Sequence, residues 1–256
     1  MKIIYFSPTG NVKHLAHQLA DALRVHQINC VLHPLEQTSP QSLGQKGALV
    51  LIFPVHAFNP PRNVIRFVRD LPENLNKVVS IISVGSSESM MNTAASTRIK
   101  SILEDKGCTV EQDELLAMPL TILTALPEQQ AKEMITGSEE KIHKIAGRII
   151  SGQKSDRHVS FASKWIAFFG RLESLAARLF GLELHASDAC TSCGVCVDNC
   201  PQKNIRFDKN NIPVFGFNCL MCLRCIYNCP ENAISPRFSK FIPIKEGYNI
   251  ARYRQE

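Results

Sequence analysis

The residues with the clearest chemical signature are the cysteines, because eight of the ten lie within one forty-residue stretch. They form two copies of the spacing C-x2-C-x2-C-x3-C, each followed by a proline. The eight are Cys190, Cys193, Cys196 and Cys200, then Cys219, Cys222, Cys225 and Cys229. Thiolates in such runs are typical iron–sulfur ligands, so the sequence predicts two [4Fe-4S] clusters and one-electron chemistry. The isolated Cys30 and Cys108 are predicted to be buried apolar residues.

The same spacing predicts how the thiols are shared between the clusters. The fourth cysteine of each motif stands next to a proline and leaves the tight loop on a different course, so that it binds the other cluster. We assign cluster I to Cys190, Cys193, Cys196 and Cys229, and cluster II to Cys219, Cys222, Cys225 and Cys200. The alternative is a pair of structural zinc knuckles, although zinc sites usually use two separated C-x2-C pairs.

Residues 187–236 resemble the bacterial ferredoxins that carry two [4Fe-4S] clusters. Both cysteine motifs match that family at every ligand position, and Glu231–Ile234 match the short strand that follows its second motif. The resemblance implies a small α+β domain that transfers single electrons at low potential.

The first 150 residues must form a different unit, because apolar β-branched runs there alternate with segments of helical spacing. The predicted strands cover 2–6, 29–32, 48–53, 77–84 and 109–118, and the predicted helices cover 12–23, 60–70, 91–105 and 128–150. The run 48–53 is continuously apolar, as expected for a strand buried on both faces. We therefore predict an α/β fold with a doubly wound, five-stranded parallel sheet.

Ligands of such sheets bind beyond the carboxyl ends of the strands, which directs attention to the loops there. The first of these loops, Ser7–Val12, joins a strand to a helix. Its hydroxyls, backbone N–H groups and helix dipole could converge on a phosphate. The G-x-G-x-x-G pattern and the nucleoside-triphosphate loop are both absent. Ser, Thr and Asn are also ordinary caps and turn formers, so the loop alone leaves both interpretations open.

The segment Tyr5–Asn11 resembles the FMN-phosphate loop of flavodoxins, and the likeness in architecture extends over residues 1–150. The resemblance implies FMN as a cofactor, with its phosphate held by Ser7, Thr9, Gly10, Asn11 and Val12. It implies that two further loops flank the isoalloxazine, formed by Pro54, Val55, His56, Ala57, Phe58 and Asn59, and by Val84, Gly85, Ser86 and Ser87. By the same resemblance, the peptide at Gly85 is the candidate partner of the flavin N5 atom.

Three positions depart from the flavodoxin pattern. Val12 replaces a hydroxyl residue, and Phe58 stands in the loop where flavodoxins commonly have a flavin-stacking Trp or Tyr. Glu88 places a carboxylate in the third loop. A carboxylate aimed at the ring would disfavour an anionic reduced flavin, whereas a solvated one would not. The departures leave open a flavodoxin-like scaffold that binds no flavin. His56 could influence the ring nitrogens or serve only as a turn residue.

The order of the two units is similar to that of the single-chain flavodoxin–ferredoxin fusions of the EFR1 type. We divide the chain into a flavodoxin-like FMN domain (1–150), a linker with amphipathic helices (151–186), a ferredoxin domain (187–236) and a basic tail (237–256). Within the linker, the polar stretch 151–157 is followed by an aromatic, basic stretch, 159–184, with a predicted break near Gly170. That stretch could lie on a membrane surface, but we favour packing between the two domains.

Composition and charge narrow the function classes. The 256 residues are 45% hydrophobic and 20% charged, as in a globular chain, and the net charge is +6. Residues 151–256 carry 14 basic and 9 acidic groups, whereas 187–236 carry four of each. The excess offsets the negative charge of bound cofactors, and no motif supports nucleic-acid binding. The tail could be solvated or could dock an acidic partner.

The expected function is that of an electron carrier which passes electrons between FMN and the two clusters to a redox partner. The alternative is an FMN-dependent reductase of a small organic acceptor, with the clusters as its internal electron supply. A cofactor-free interaction protein is disfavoured by the cysteine spacing. Charged residues interrupt the longest apolar stretch, so no membrane-spanning helix is expected, and clustered cysteines favour a reducing cytoplasm. The identity of the partner and the oligomeric state stay open.

Overall fold

The computed structural model describes residues 1–44, 47–170 and 172–253. Its amino-terminal part is built on one parallel sheet with the order β2-β1-β3-β4-β5. The strands are β1 (Lys2–Tyr5), β2 (Val31–Pro34), β3 (Ala48–Pro54), β4 (Val78–Gly85) and β5 (Thr109–Ala117). This is the strand order of flavodoxin-like doubly wound folds, so the predicted fold class is confirmed. The second strand starts two residues later than predicted.

Helices cover both faces of the sheet, and the sheet separates two apolar cores. They are α1 (Asn11–Val25), α2 (Arg62–Arg69), α3 (Thr97–Asp105) and α4 (Glu128–Ser151). One core lies under α1 and α4, and the other lies under α2 and α3. The helix predicted over 91–105 begins instead as a 3-10 turn, Met90–Ser96, before α3.

The polar stretch predicted to be a linker is bound to the edge of the sheet. The Ser155 N–H donates to the Glu111 carbonyl at 2.8 Å, and the Asp113 N–H donates to the Ser155 carbonyl at 3.0 Å. Arg157 forms an ion pair with buried Asp113, and its Nη2 donates to the Glu114 carbonyl at 2.8 Å. The stretch 151–157 is therefore polar because it pairs with a strand edge and supplies one partner of a buried ion pair.

The aromatic stretch forms two helices, α5 (Phe161–Gly170) and α6 (Glu173–Glu183), which separate near the predicted break. One side of the pair packs inward through Ser163, Ala167, Ala177 and Phe180. The opposite side is solvent-exposed and consists of Phe161, Trp165, Phe168, Phe169, Leu172, Leu175, Leu179 and Leu182. The favoured packing role therefore accounts for only one face. Among the described residues, no helix is long and apolar enough to cross a membrane.

The cysteine-rich part contains two small antiparallel sheets and two one-turn helices. These elements are β6 (Leu184–Ala186) paired with β9 (Ile234–Pro236), β7 (Ile205–Phe207) paired with β8 (Pro213–Phe215), α7 (Val195–Asp198) and α8 (Arg224–Tyr227). The two cysteine loops share a left-handed backbone pattern. Ser192 and Gly194 in the first loop have positive φ, as do Met221 and Leu223 at the same places in the second.

The carboxyl-terminal residues return to the flavodoxin-like part and pack against α1. Ile244, Tyr248 and Ile250 are buried in the core that α1 and α4 share. The basic residues Arg237 and Lys240 remain exposed. The tail therefore differs from both earlier interpretations, since these three apolar residues belong to the fold, whereas its charges and the side chains of Phe238 and Phe241 face solvent.

Candidate functional site

The first loop presents backbone donors at the start of α1. Gly10 precedes the helix with a φ of 106°, a conformation that glycine adopts most readily. The Ser7 hydroxyl accepts from the Lys13 N–H at 2.9 Å, so it closes the turn. Among the described residues, no hydrogen bond is donated by the amides of Thr9, Gly10, Asn11 and Val12. Four such amides at a helix N-terminus suit an anion.

The Asn11 side chain, predicted to contact phosphate, is used differently. It is buried, its Nδ2 donates to the Pro119 carbonyl at 2.9 Å, and its Oδ1 accepts from the Tyr248 hydroxyl at 2.5 Å. A Cβ at Gly10 would lie 3.0 Å from the Ile250 side chain. The tail thus closes one side of the first loop, a contact that sequence analysis missed.

The second loop is a tight turn in an unusual conformation. His56 and Asn59 pair across it, with N–H to carbonyl distances of 2.8 and 2.9 Å. The two central residues, Ala57 and Phe58, have φ values of 41° and 66°. Positive φ at both central positions is the type I′ pattern, which usually uses Asn or Gly. Each left-handed non-glycine residue costs about 1 kcal/mol, so neighbouring contacts must hold the turn.

Helix α5 supplies those contacts. The Asn59 Nδ2 donates to the Ala57 carbonyl at 3.0 Å and to the Ala167 carbonyl of α5 at 2.7 Å. Gly170, the last residue of α5, lies so close that a Cβ there would clash with the Ala57 carbonyl oxygen. The linker helix is therefore packed directly onto the turn of the second loop.

The third loop follows β4 and turns its polar groups outward. The Gly85 carbonyl accepts from the Met118 N–H at 2.9 Å, and a Cβ at Gly85 would lie 2.9 Å from the Asn92 Nδ2. The Ser87 hydroxyl donates to the Ser89 hydroxyl at 2.9 Å. Glu88 pairs with Lys141 of α4 at 2.6 Å, so its carboxylate is partly solvated, and it does not line the cavity that the loops enclose.

The three loops enclose a cavity of about 320 Å³, which we call the flavin cavity after the cofactor that the sequence resemblance implies. The predicted residues that line it are Thr9, Asn11, Val12, Pro54, Val55, His56, Ala57, Phe58, Val84, Gly85 and Ser86. Four predicted residues do not line it, namely Ser7, Gly10, Asn59 and Ser87. Their local roles explain this: Ser7 and Gly10 shape the first turn, while Asn59 and Ser87 bond to neighbouring groups.

Two parts of the cavity wall were not predicted. One is the loop after β5, residues 118–122, which lies at the same carboxyl edge of the sheet. The rule that placed the other three loops would have found it. The second part is Met221 and Cys222 from the second cysteine motif. No local signal predicts that contact, because it depends on how the two halves of the chain pack.

His56 is an uncharged part of the wall. Burial lowers its pKa to about 4, so the imidazole is neutral near pH 7. It also lines a second cavity on the other side of the turn. His56 therefore separates two cavities without adding charge to either.

The eight predicted cluster ligands surround two separate cavities. The cluster I cavity is lined by Cys190, Cys193, Cys196 and Cys229. The cluster II cavity is lined by Cys200, Cys219, Cys222 and Cys225. The fourth cysteine of each motif thus lies with the other motif's first three. Among the described residues, no three His, Cys, Asp or Glu side chains converge on a position for a single metal ion.

Backbone N–H groups point at the sulfur atoms in a repeated pattern. Asn204 N–H donates to Cys200 Sγ and Ala233 N–H donates to Cys229 Sγ, both at 3.3 Å. Such bonds tune cluster potentials. Burial and neighbouring thiols raise the pKa of Cys219 to about 12, so cluster binding must displace its proton. Cys193 is exposed, whereas Cys200, Cys219, Cys222 and Cys225 are all partly buried.

Side chains from both halves meet at the first loop. Arg224 of α8 donates through Nη2 to the Ser7 carbonyl at 2.8 Å and pairs with Glu36 at 2.6 Å. Its guanidinium also stacks over the Phe6 ring, with 5.6 Å between Cζ and the ring centroid. These contacts hold the second cysteine motif against the flavin cavity.

Comparison with known proteins identifies the cysteine-rich part. Residues 183–230 match the 4Fe-4S dicluster domain. The carboxyl-terminal part is thus an iron–sulfur electron-transfer domain with [4Fe-4S] clusters as cofactors. No curated protein matches the chain.

Several solved structures are similar to the flavodoxin-like part. Oxidised flavodoxin 2 from Bacillus cereus is 17% identical, over 59% of this chain and 98% of that chain, with a TM-score of 0.42. Two-electron reduced flavodoxin from Megasphaera elsdenii is 21% identical, over 56% of this chain and 98% of that chain, with a TM-score of 0.40. The fold itself is fixed by the strand order of the sheet.

Proposed function

We propose that this protein passes electrons between FMN and two [4Fe-4S] clusters and on to a redox partner, as a flavodoxin–ferredoxin fusion of the EFR1 type. The observation that carries the proposal is the position of Cys222. It lines both the flavin cavity and the cavity of the four cluster II cysteines. A residue that lines both cavities supports direct transfer of electrons between the proposed flavin and cluster II.

The residues present fit FMN. The four amides of Thr9–Val12, which donate to no described residue, would hold the phosphate. An apolar wall including Val55, Phe58 and Met221 would hold the ring and exclude water. The missing hydroxyl at Val12 is tolerable, because backbone groups supply the donors. Glu88 faces away, so the carboxylate that would oppose a reduced flavin is removed from the ring.

The residues present also fit the crossed ligation. Cluster I would take Cys190, Cys193, Cys196 and Cys229, and cluster II would take Cys219, Cys222, Cys225 and Cys200. FMN supplies two-electron chemistry and each cluster supplies one-electron chemistry. The chain contributes placement: cluster II would lie beside the flavin cavity among partly buried thiols, and cluster I would reach the surface at Cys193. The redox partner would dock on that surface.

Anaerobic purification of the full chain with iron, sulfide and flavin assays tests the proposal. Two [4Fe-4S] clusters require eight irons per chain, and the flavin cavity requires about one FMN. If the first loop binds phosphate, the protein depleted of flavin will bind FMN more tightly than riboflavin, which has the same ring but no phosphate. Equal affinity for the two would contradict the phosphate assignment, and absence of flavin binding would remove FMN from the proposal.

A second candidate function is reduction of a small organic acceptor, with the clusters as internal electron supply. The observation that favours it is the second cavity, which shares His56 with the flavin cavity. Multiple turnover of the reduced protein with a quinone, an enoate or a nitro compound would support this function. Transfer to protein acceptors alone would support the carrier.

A further inference from the structure

The second cavity carries a concentration of positive charge. It measures about 520 Å³, within the range of small-molecule sites, and four of its lining residues are arginines. Arg62, Arg66 and Arg69 belong to α2, and Arg98 belongs to α3. Asp70 is the single carboxylate among the described residues that line it.

The three arginines of α2 form a row. Their spacing, at positions i, i+4 and i+7, places them on one face of the helix, along about 10 Å of its length. Arg66 and Arg69 are exposed, and no residue within the described part of the chain forms an ion pair with either. Arg66 and Arg69 therefore present guanidinium groups to whatever enters the cavity, whereas Arg62 also bonds to the second cysteine motif.

The rest of the wall is largely apolar. It includes Pro60, Pro61, Ile65, Ala177 and Leu220. Such a surface gains free energy by covering an apolar body, whereas guanidinium forks bind phosphate and carboxylate groups with paired hydrogen bonds. The apolar wall and the guanidinium groups together suit a ligand with an apolar part and more than one negative group.

We propose that this cavity binds a small organic polyanion, a molecule with an apolar body and at least two phosphate or carboxylate groups. A small molecule is favoured over an acidic protein surface, because a 520 Å³ concavity would stay largely unfilled beneath a protein partner. The proposal uses residues of α2 and the apolar wall, and it does not require FMN.

The position of the cavity gives the site a function near the redox centres. His56 separates it from the flavin cavity, and Leu220 lies next to Cys219 in the second cysteine motif. Arg62 also donates to the Cys219 carbonyl at 2.5 Å. A polyanion bound here would lie beside both proposed redox sites, next to the flavin cavity at His56 and next to the cluster II cavity at Leu220.

Calorimetric titration of the anaerobically purified full chain with ADP and with inorganic pyrophosphate tests the proposal. We expect both to bind one site per chain, ADP more tightly because the apolar wall covers its nucleoside. The double variant Arg66→Gln/Arg69→Gln removes two charged hydrogen-bonding groups and should weaken both ligands by at least about tenfold. The control Arg237→Gln/Lys240→Gln removes equal charge from the tail and should leave both affinities unchanged.

Three results would overturn the proposal. They are absence of binding by both probes, an equal loss of affinity in the control variant, and binding of polyglutamate without binding of ADP or pyrophosphate. The last result would assign the arginines to an acidic protein. Iron and flavin contents are measured on the same samples, so that the two proposals can fail separately. A chain that binds ADP but contains no flavin would contradict the proposed electron-transfer function and leave the polyanion site standing.

Discussion

At the scale of single residues, the thiol grouping gives the sharpest test of the cluster assignment. Cys200→Ala and Cys219→Ala should each lose about half of the iron and keep the same remaining cluster. Cys229→Ala and Cys190→Ala should form a second matched pair with the other cluster retained. Electron paramagnetic resonance of the reduced variants identifies the retained cluster. If Cys200→Ala instead matches Cys190→Ala, the ligation is not crossed.

The Tyr248 hydroxyl gives a second residue-scale prediction. Tyr248→Phe removes the donor to buried Asn11 Oδ1 and should lower the free energy of unfolding by about 1–2 kcal/mol, measured by urea denaturation. Tyr253→Phe is the control, because its hydroxyl makes no hydrogen bond with any described residue. An equal loss in both variants would contradict the role of the Tyr248–Asn11 bond.

Residue types and spacing predicted the cysteine grouping because one short motif determines both the loop and its ligands. They did not predict the contact of Asn11 with Tyr248, which lies 237 positions away. Asparagine suits a phosphate loop and a buried amide equally well, and only the packing of the tail decides between them.

At the scale of elements, the contact between α5 and the second loop is the one we would alter. Gly170→Ala inserts a Cβ against the Ala57 carbonyl, so α5 and the 57–58 turn must separate. We expect weaker FMN binding, measured by quenching of flavin fluorescence. Gly137→Ala in α4 is the control, since its Cβ would meet nothing within 4 Å and only helix propensity changes. Unchanged flavin affinity in Gly170→Ala would show that the turn does not depend on α5.

The segment after α4 gives a prediction about pH. Burial raises the pKa of Asp113 even though Arg157 acts to lower it. Arg157→Gln should cost about 3–5 kcal/mol at pH 7, because it leaves a buried carboxylate unpaired. The pKa of Asp113 then rises further above its unfolded value, so the penalty should shrink as pH falls and the carboxyl takes up a proton. Chemical denaturation at pH 7 and pH 5 measures this, and a larger penalty at pH 5 would contradict it.

Most elements of the sheet could be predicted because hydrophobic period and strand length agree along the first 150 residues. The segment after α4 could not, since its polar residues pair with a strand edge and a buried charge that lie elsewhere in the sequence. The exposed aromatic face of α5 and α6 could not be placed either, because an apolar period does not say which residues of a helix are covered.

At the scale of the whole molecule, the proposed redox sites adjoin one another. The flavin cavity shares Cys222 with the cavity lined by the four proposed cluster II cysteines, and the proposed cluster I cysteines line a separate cavity, with Cys193 at the surface. Arg224 and the tail hold the two halves together through contacts with the first loop and α1. This order predicts a route from a buried two-electron site to a surface one-electron site.

The most direct test of that route is transient absorption after light-driven reduction of the flavin in the anaerobic full chain. Because the sites share one chain, cluster bleaching should follow with a rate constant that stays the same when the protein is diluted about tenfold. A rate that falls in proportion to protein concentration, or a flavin that stays reduced beside oxidised clusters, would contradict electron transfer within the chain.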